Sequence, residues 1–146
     1  MELDWVVGQI LDYLREKRDS RDTLVVFTSD NGAALVDKAG AGSNGPLLCG
    51  KQTTFEGGMR TPTIAWWSSG RVSGKVSQYV GTHMDMLPTL ASLAGAALPQ
   101  SLVLDGHSFD HILLGEDLTD TDQHPVFFYR GNLLYAVRWS QYKVKL

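Results

Sequence analysis

The chain is poor in cysteine, since its 146 residues contain only Cys49. A single thiol cannot form an internal disulfide, so cysteine content leaves the redox compartment open. No apolar run approaches the roughly eighteen residues of a membrane-spanning helix, and the N-terminus lacks the basic and apolar regions of a signal peptide. The net charge of −3, with scattered lysines and arginines, gives no reason to expect nucleic acid or an anionic membrane as a partner. We therefore expect a soluble globular protein.

The first half of the chain has the pattern of an α/β protein. The apolar residues near the N-terminus have the spacing of an amphipathic helix that covers one side of a sheet: Leu3, Val7, Ile10 and Leu14. Leu24 to Phe27 is a continuous apolar run, which is typical of a strand buried on both faces of a parallel sheet. Thr63 to Trp67 is a second strand rich in β-branched and aromatic residues, and Val76 to Val80 is a candidate short strand.

The second half begins with a helix and ends in antiparallel strands. Asp85 is the predicted N-cap of a helix that contains Pro88 in its first turn and continues through Leu90 to Ala94. Three short strands are predicted near the C-terminus, with a turn at Gly131 and Asn132: Val126 to Arg130, Leu134 to Trp139 and Tyr142 to Leu146. These patterns predict an α/β part over residues 1–122 and a small antiparallel part over residues 123–146.

The most informative stretch for function begins where the first strand ends. Asp30 and Asn31 place a carboxylate and a carboxamide side by side at the carboxyl end of that strand, where open α/β sheets bind their ligands. Hard oxygen donors of this kind suit Ca²⁺ or Mg²⁺ rather than zinc. Asp-Asn-Gly is equally typical of a type I′ turn, so the residues alone leave a turn and a metal site open.

A long glycine-rich loop follows, and it carries candidate anion-binding groups. Lys51 lies in a glycine-flanked part of this loop, where an ammonium could neutralise an oxyanion; by itself it could equally be a solvated lysine. Glu56 and Arg60 are four residues apart and are predicted to pair with each other in a structural role. Gly57 and Gly58 are predicted to serve a tight backbone turn.

The histidines and the cysteine are weaker candidates for chemistry. His83 precedes the predicted helix on the side of the strand ends, but a hydrogen-bonded structural histidine is the simpler interpretation. His107 and His111 have metal-ligand spacing in a predicted loop, which we treat as coincidence. No arrangement of His and Asp supports activation of Cys49 as a nucleophile.

Taken together, several segments resemble the second half of the catalytic domain of the sulfatase family. They are LVVFTSDNG, LLCGKQTTFEGGMRTP, HMDMLPTLASLAG and LDGHSF, and the most specific is the run from Cys49 to Arg60. The resemblance implies an alkaline-phosphatase-like α/β fold with an antiparallel C-terminal subdomain. It also implies that Asp30 and Asn31 bind Ca²⁺, and that Lys51 binds the sulfate ester.

The family's nucleophile is formylglycine, which attacks sulfur and is made from the cysteine of a C-x-P-S-R motif. That motif does not occur here, so we expect the chain to be a fragment that is inactive by itself. Cys49 resembles a family cysteine that pairs with one beyond Leu146. The resemblance further implies a homodimer and a lysosomal or secreted location.

Three functions are compatible with these expectations. The first is a calcium-dependent hydrolase that removes sulfate from an aryl sulfate or from a carbohydrate of the N-acetylgalactosamine-6-sulfate or galactose-6-sulfate type, in which His83 and Trp67 are candidate sugar contacts. The second is a phosphatase or phosphonate hydrolase of the same superfamily, with a Thr or Ser nucleophile. The third is a truncated homologue that only binds.

Overall fold

The computed structural model describes residues 2–17, 22–35, 42–67, 69, 71–72 and 74–146. The centre of the glycine-rich loop, residues 36–41, lies outside them. The described elements are, in chain order, α1 (Glu2–Glu16), β1 (Leu24–Thr28), α2 (Glu56–Met59), β2 (Thr63–Trp67), α3 (Met86–Leu93), α4 (Asp110–Leu113), β3 (Val126–Arg130), β4 (Leu133–Trp139) and β5 (Tyr142–Lys145). The predicted α/β class is confirmed, and no helix in the described part of the chain has the length and apolar character needed to cross a membrane.

Helix α1 forms where the apolar spacing predicts it, but much of its apolar surface is uncovered. Val7, Leu11 and Leu14 are half-buried, whereas Leu3 and Ile10 are exposed. The guanidinium carbon of Arg15 lies 5.6 Å from the centre of the Trp66 ring, which links α1 to β2. The predicted inward face is therefore correct only in part.

Strands β1 and β2 pair with each other in antiparallel orientation, from Leu24 opposite Trp67 to Thr28 opposite Thr63. The expectation that β1 belongs to a parallel sheet buried on both faces is not what the described residues show. All five residues of β1 are half-buried rather than buried. A continuous apolar run specifies a strand that meets apolar groups on both faces, but it does not specify the direction of the neighbouring strand.

One face of this two-stranded sheet packs on α3 and α4. Leu24, Val26 and Ala65 line the same apolar space as Leu90 and Leu113 of the two helices. The helices are held by Thr89, which is buried; its hydroxyl donates to the carbonyl oxygen of Asp85 at 2.7 Å and accepts the amide of Phe109 at 3.1 Å. This hydroxyl fixes the start of α4 against α3.

Asp85 differs from its predicted role as an N-cap. Its side chain makes no capping bond to α3. It lies in a short 3₁₀ turn, His83–Asp85, where its carboxylate accepts the amides of Thr82 at 2.6 Å and His107 at 2.9 Å. The carboxylate thus caps the 3₁₀ turn before α3, through the amide of Thr82, and joins this turn to the loop before α4.

The C-terminal part is a three-stranded antiparallel sheet in the order β3-β4-β5, close to the predicted strands. Phe128 and Ala136 are buried in it, and an irregularity in the β3 and β4 pairing lies between Phe128 and Tyr129. Residues 76–80 do not form the predicted strand. The division at residues 122 and 123 stays a prediction.

Candidate functional site

The turn after β1 presents the two predicted metal ligands in different surroundings. Asp30 is exposed and Asn31 is half-buried. The Ser29 hydroxyl donates to the carbonyl oxygen of Asn31 at 3.0 Å, which shapes the turn from within. Among the described residues, no side chain bonds the Asn31 carboxamide, so its oxygen is available to a ligand.

A backbone contact joins this turn to the loop of Lys51. The amide of Gly32 donates to the carbonyl oxygen of Gly58 at 3.0 Å, and both glycines are buried. A Cβ on Gly32 would lie 1.8 Å from the carbonyl oxygen of Gly57, so no larger residue fits. The close approach of the two backbone segments explains why residue 32 is glycine.

The segment from Cys49 to Arg60, here called the signature segment, is fixed at its start by the chain just beyond the turn. The amide of Lys51 donates to the carbonyl oxygen of Ala33 at 3.0 Å. The carboxamide of Asn44 donates to the carbonyl oxygens of Ala33, at 3.0 Å, and of Cys49, at 3.1 Å, and its oxygen accepts the Ala33 amide at 2.7 Å. Sequence reasoning missed Asn44, because one asparagine in a long loop carries no periodic signal.

Lys51 itself is exposed and stands between two residues in the left-handed region of backbone conformation. Cys49 has φ 62° and Gln52 has φ 73°. Non-glycine residues adopt this region rarely and at some cost, and such positions cluster at ligand sites. The conformation presents the Lys51 side chain outward on a segment whose backbone is anchored.

Gly57 and Gly58 close the signature segment. The amide of Gly57 donates to the carbonyl oxygen of Leu48 at 2.9 Å, and a Cβ there would lie 2.0 Å from the carbonyl oxygen of Cys49. A Cβ on Gly58 would lie 2.4 Å from the carbonyl oxygen of Thr53. Close approach of neighbouring backbone therefore accounts for glycine at both positions.

The expected pairing of Glu56 with Arg60 is wrong. The carboxylate of Glu56 forms its ion pairs with Arg138 of β4 and, at 2.9 Å, with Lys143 of β5. Helix α2 is a single turn, and the amide of Arg60 still donates to the carbonyl oxygen of Glu56 at 2.8 Å. The spacing is therefore helical, but the Glu56 carboxylate pairs with two cations of the C-terminal sheet instead of the Arg60 side chain.

Arg138 and Lys143 were not among the predicted residues, although a signal for them exists in the sequence. They stand directly opposite each other on β4 and β5. Like charges at facing positions of a hairpin are destabilising unless a counter-charge lies nearby. The hairpin pattern therefore predicts an acidic partner from elsewhere in the chain. In the structure this partner is Glu56.

His83 lies near the same end of β1 as Asp30. Its Nε2 atom is 3.5 Å from the hydroxyl oxygen of Thr28, the last residue of that strand. Trp67 is paired with Leu24 at the other end of the sheet, away from Asp30. The geometry thus brings His83 toward the predicted site and leaves Trp67 distant.

The other histidines are engaged with protein groups. His107 stacks on His124 with ring centres 3.6 Å apart. His111 lies 2.8 Å from Asp122 through Nε2. In the described part of the chain, no group of three or more His, Cys, Asp or Glu side chains is arranged to hold a metal. The two predicted ligands can therefore supply only part of a metal shell.

Asp30, Asn31 and Lys51 all lie within the part of the chain that matches a known protein family. A model of the sulfatase family matches residues 1–96. The chain belongs to the sulfatase family. The match includes the turn after β1, the signature segment and His83.

Sulfatase relatives match nearly the whole chain. It is 52% identical to N-acetylgalactosamine-6-sulfatase of Canis lupus familiaris over 143 residues, covering 97% of this chain and 27% of that protein. It is 41% identical to arylsulfatase A of Bos taurus, covering 98% of this chain and 28% of that protein. The chain therefore spans little more than a quarter of the length of these relatives.

A solved sulfatase structure has the same fold. The crystal structure of a sulfatase from Pseudoalteromonas sp. superposes with a TM-score of 0.85 at 33% identity, covering 99% of this chain and 29% of the other. The arrangement of α1, the β1 and β2 pair, and the C-terminal sheet is thus that of a sulfatase, and the fold predicted by resemblance is confirmed.

Proposed function

We propose that this chain forms one part of the active site of a sulfuric ester hydrolase. The observation that supports the proposal most directly is the pair of backbone bonds, Gly32 to Gly58 and Lys51 to Ala33, in a chain of the sulfatase family. Together they hold Asp30, Asn31 and Lys51 on two adjoining backbone segments. The hydrolytic activity belongs to a full-length protein of which this chain is a segment.

Asp30 and Asn31 are the proposed ligands of Ca²⁺. A carboxylate and a carboxamide oxygen are donors that this ion prefers. Asp30 is exposed, with Oδ1 in a long 3.5 Å contact with the Ser29 hydroxyl, and no described side chain bonds the Asn31 carboxamide. Ca²⁺ takes about six to eight oxygen ligands, so further ligands come from other parts of the protein. When bound, the ion supplies a positive charge that polarises a sulfate oxygen.

Lys51 is the proposed sulfate-binding residue. Its ammonium is a compact positive charge with three donors, suited to a tetrahedral oxyanion. The bond from its amide to Ala33 and the left-handed residues on either side limit how far its Cα can move. Lys51 then holds the sulfate group in place and offsets the negative charge that develops on it. His83 is proposed as a further contact on the same side.

The substrate is proposed to be a sulfated carbohydrate, of the N-acetylgalactosamine-6-sulfate or galactose-6-sulfate type, or an aryl sulfate. Support comes from the names of the relatives, N-acetylgalactosamine-6-sulfatase and arylsulfatase A. From the family resemblance we also propose a lysosomal or secreted location, a role in glycosaminoglycan degradation, and a homodimer of the full-length protein. The formylglycine nucleophile is proposed to lie outside the 146 residues.

The test is hydrolysis of an aryl sulfate by the full-length protein, with an aryl phosphate assayed in parallel. Lys51→Met and Asp30→Asn are each expected to lower kcat/KM for the sulfate by about a hundredfold or more, as when a group that stabilises the transition state is removed. Lys75→Met is the matched control, because Lys75 is a partly exposed lysine paired with Asp117. It is expected to leave turnover unchanged.

Calcium dependence is measured separately. Chelation of the wild-type protein is expected to abolish turnover, and added Ca²⁺ to restore it; Asp30→Asn is expected to need more Ca²⁺ for half-maximal activity. Preferential hydrolysis of the phosphate would identify a phosphatase of the superfamily instead. Absence of turnover on both esters, with substrate binding retained, would identify a homologue that only binds.

A further inference from the structure

The C-terminal sheet turns three cations toward the signature segment. Arg138 of β4 and Lys143 and Lys145 of β5 lie on one face of the sheet, which we call the basic face. The side chains of Arg138 and Lys143 are only 17% and 20% exposed. They are thus held against protein rather than extended into solvent.

The basic face contacts three consecutive residues of the signature segment. Lys143 donates to the carbonyl oxygen of Thr54 at 2.6 Å, and Lys145 Nζ lies 3.7 Å from the centre of the Phe55 ring. Arg138 and Lys143 both bond the carboxylate of Glu56. One short stretch is therefore held through its backbone, an aromatic ring and a carboxylate.

Glu56 is the charge on which this contact depends. Without it, Arg138 and Lys143 would face each other on adjacent strands as like charges with little solvent around them. Lys143 also lies 3.6 Å from the centre of the Phe128 ring, which limits its freedom to turn away. Loss of the carboxylate would push the two cations apart and release Thr54 and Phe55 with them.

A short path leads from Glu56 to Lys51. Gly57, next to Glu56, bonds Leu48 on the other side of the segment, and Thr53, next to Thr54, bonds the carbonyl oxygen of Gly50 through its amide at 3.2 Å and its hydroxyl at 2.7 Å. Lys51 lies between these two attachments. A displacement at Thr54 to Glu56 is therefore transmitted to the backbone of Lys51 from both sides.

We propose that Glu56, held by Arg138 and Lys143, is a positioning residue for Lys51. The antiparallel sheet then takes part in sulfate binding at a distance, because it sets where the Lys51 ammonium stands. This inference rests on the proposed function for its catalytic consequence. The mechanical part, that the basic face holds the Lys51 backbone, is independent of any activity.

The experiment compares Glu56→Gln with wild type in the full-length protein. Amide hydrogen exchange is expected to accelerate at least tenfold at Lys51 and Gly57, and kcat/KM for an aryl sulfate to fall by about ten- to a hundredfold, as expected for a misplaced catalytic-site group. Glu56→Asp keeps the charge and is expected to recover part of both.

Two controls separate positioning from general loss of stability. Ile112→Val shortens a buried side chain of α4, away from the signature segment, and destabilises the fold. It is expected to leave Lys51 exchange and kcat/KM unchanged, even under conditions where it lowers the free energy of unfolding as much as Glu56→Gln does. Asp117→Asn removes an exposed carboxylate paired with a lysine and is expected to change nothing.

A double variant tests the charge argument. Adding Arg138→Met to Glu56→Gln removes one of the two facing cations and is expected to slow Lys51 exchange relative to Glu56→Gln alone. Unchanged exchange and turnover in Glu56→Gln would overturn the inference, as would equal effects in Ile112→Val. If wild type hydrolyses no sulfate ester while Glu56→Gln still loosens Lys51, the proposed function fails and the positioning of Lys51 stands.

Discussion

The amide of Gly32 donates to the carbonyl oxygen of Gly58 at 3.0 Å, across 26 positions of the chain. This bond ties the turn that carries Asp30 and Asn31 to the end of the signature segment that carries Lys51. Both partners are buried, so the bond is shielded from competition with water. The candidate site is thus built by a backbone contact, and side chains of two segments become neighbours through it.

Replacement of Gly32 by alanine is expected to separate these segments. The new Cβ would lie 1.8 Å from the carbonyl oxygen of Gly57, and backbone cannot yield as a flexible side chain can. We expect a loss of about 1–3 kcal/mol in the free energy of unfolding, as for an overpacked site, measured by urea denaturation. Gly8→Ala is the control, since a Cβ there meets nothing within 4 Å, and alanine in a helix is expected to stabilise by about 0.5–1 kcal/mol. Equal stabilities of the two variants would contradict the close approach.

Removal of the Asp85 carboxylate is expected to uncouple the 3₁₀ turn from the loop before α4. Asp85→Ala leaves the amides of Thr82 and His107 without their acceptor, at a cost of roughly 1–3 kcal/mol. Asp105→Ala, at an exposed carboxylate nearby, is expected to change stability by no more than about 0.5 kcal/mol. Thermal unfolding of both variants measures the difference, and a similar Tm for the two would argue against the role given to Asp85.

Acid is expected to weaken the fold partly through Asp110. Hydrogen bonds from Ser92, and then from Ser108, lower the pKa of this carboxyl from its ordinary value of 3.8. Because the folded state holds the ionised form, the stabilisation is present above pH 3.8 and is lost as pH falls through the lowered pKa. Asp110→Asn is therefore expected to destabilise at pH 6 and to differ less from wild type near pH 2.5. Urea unfolding of both proteins at the two pH values measures this difference in stability. A difference that is larger near pH 2.5 than at pH 6 would contradict the lowered pKa of Asp110.

The 146-residue chain by itself is expected to hydrolyse no sulfate ester. It supplies two proposed metal ligands and one lysine that is proposed to bind sulfate, and its sequence contains no C-x-P-S-R motif. The purified chain is assayed with an aryl sulfate and Ca²⁺ at high protein concentration. Turnover above the rate of a Lys51→Met version of the same chain would show that a nucleophile within these residues had been overlooked.

Most elements could be predicted from local pattern. The spacing near the N-terminus predicts a helix, and α1 is found at Glu2–Glu16. Thr63 to Trp67 and Val126 to Arg130 are strands with the predicted bounds. Local pattern works here because helix periodicity and β-branched or aromatic runs depend on residues close together in the chain.

Where prediction failed, the deciding contact was distant in sequence. Glu56 pairs with Arg138 and Lys143, which follow it by 82 and 87 positions, although Arg60 is only four residues away. Asp85 bonds His107 rather than capping α3. In both cases a carboxylate had a plausible local partner, and packing brought a distant segment within hydrogen-bonding reach of it.

The sequence by itself determined the family, the order of helices and strands, and the residue types of the proposed metal and oxyanion site, because those depend on composition and spacing. Only the tertiary structure decided that β1 and β2 are antiparallel and that the turn at Asp30 meets the signature segment. It alone showed that a C-terminal basic face holds Glu56. Strand direction, close glycine contacts and long-range ion pairs depend on which distant segments pack together, and short-range patterns in the chain do not encode that choice.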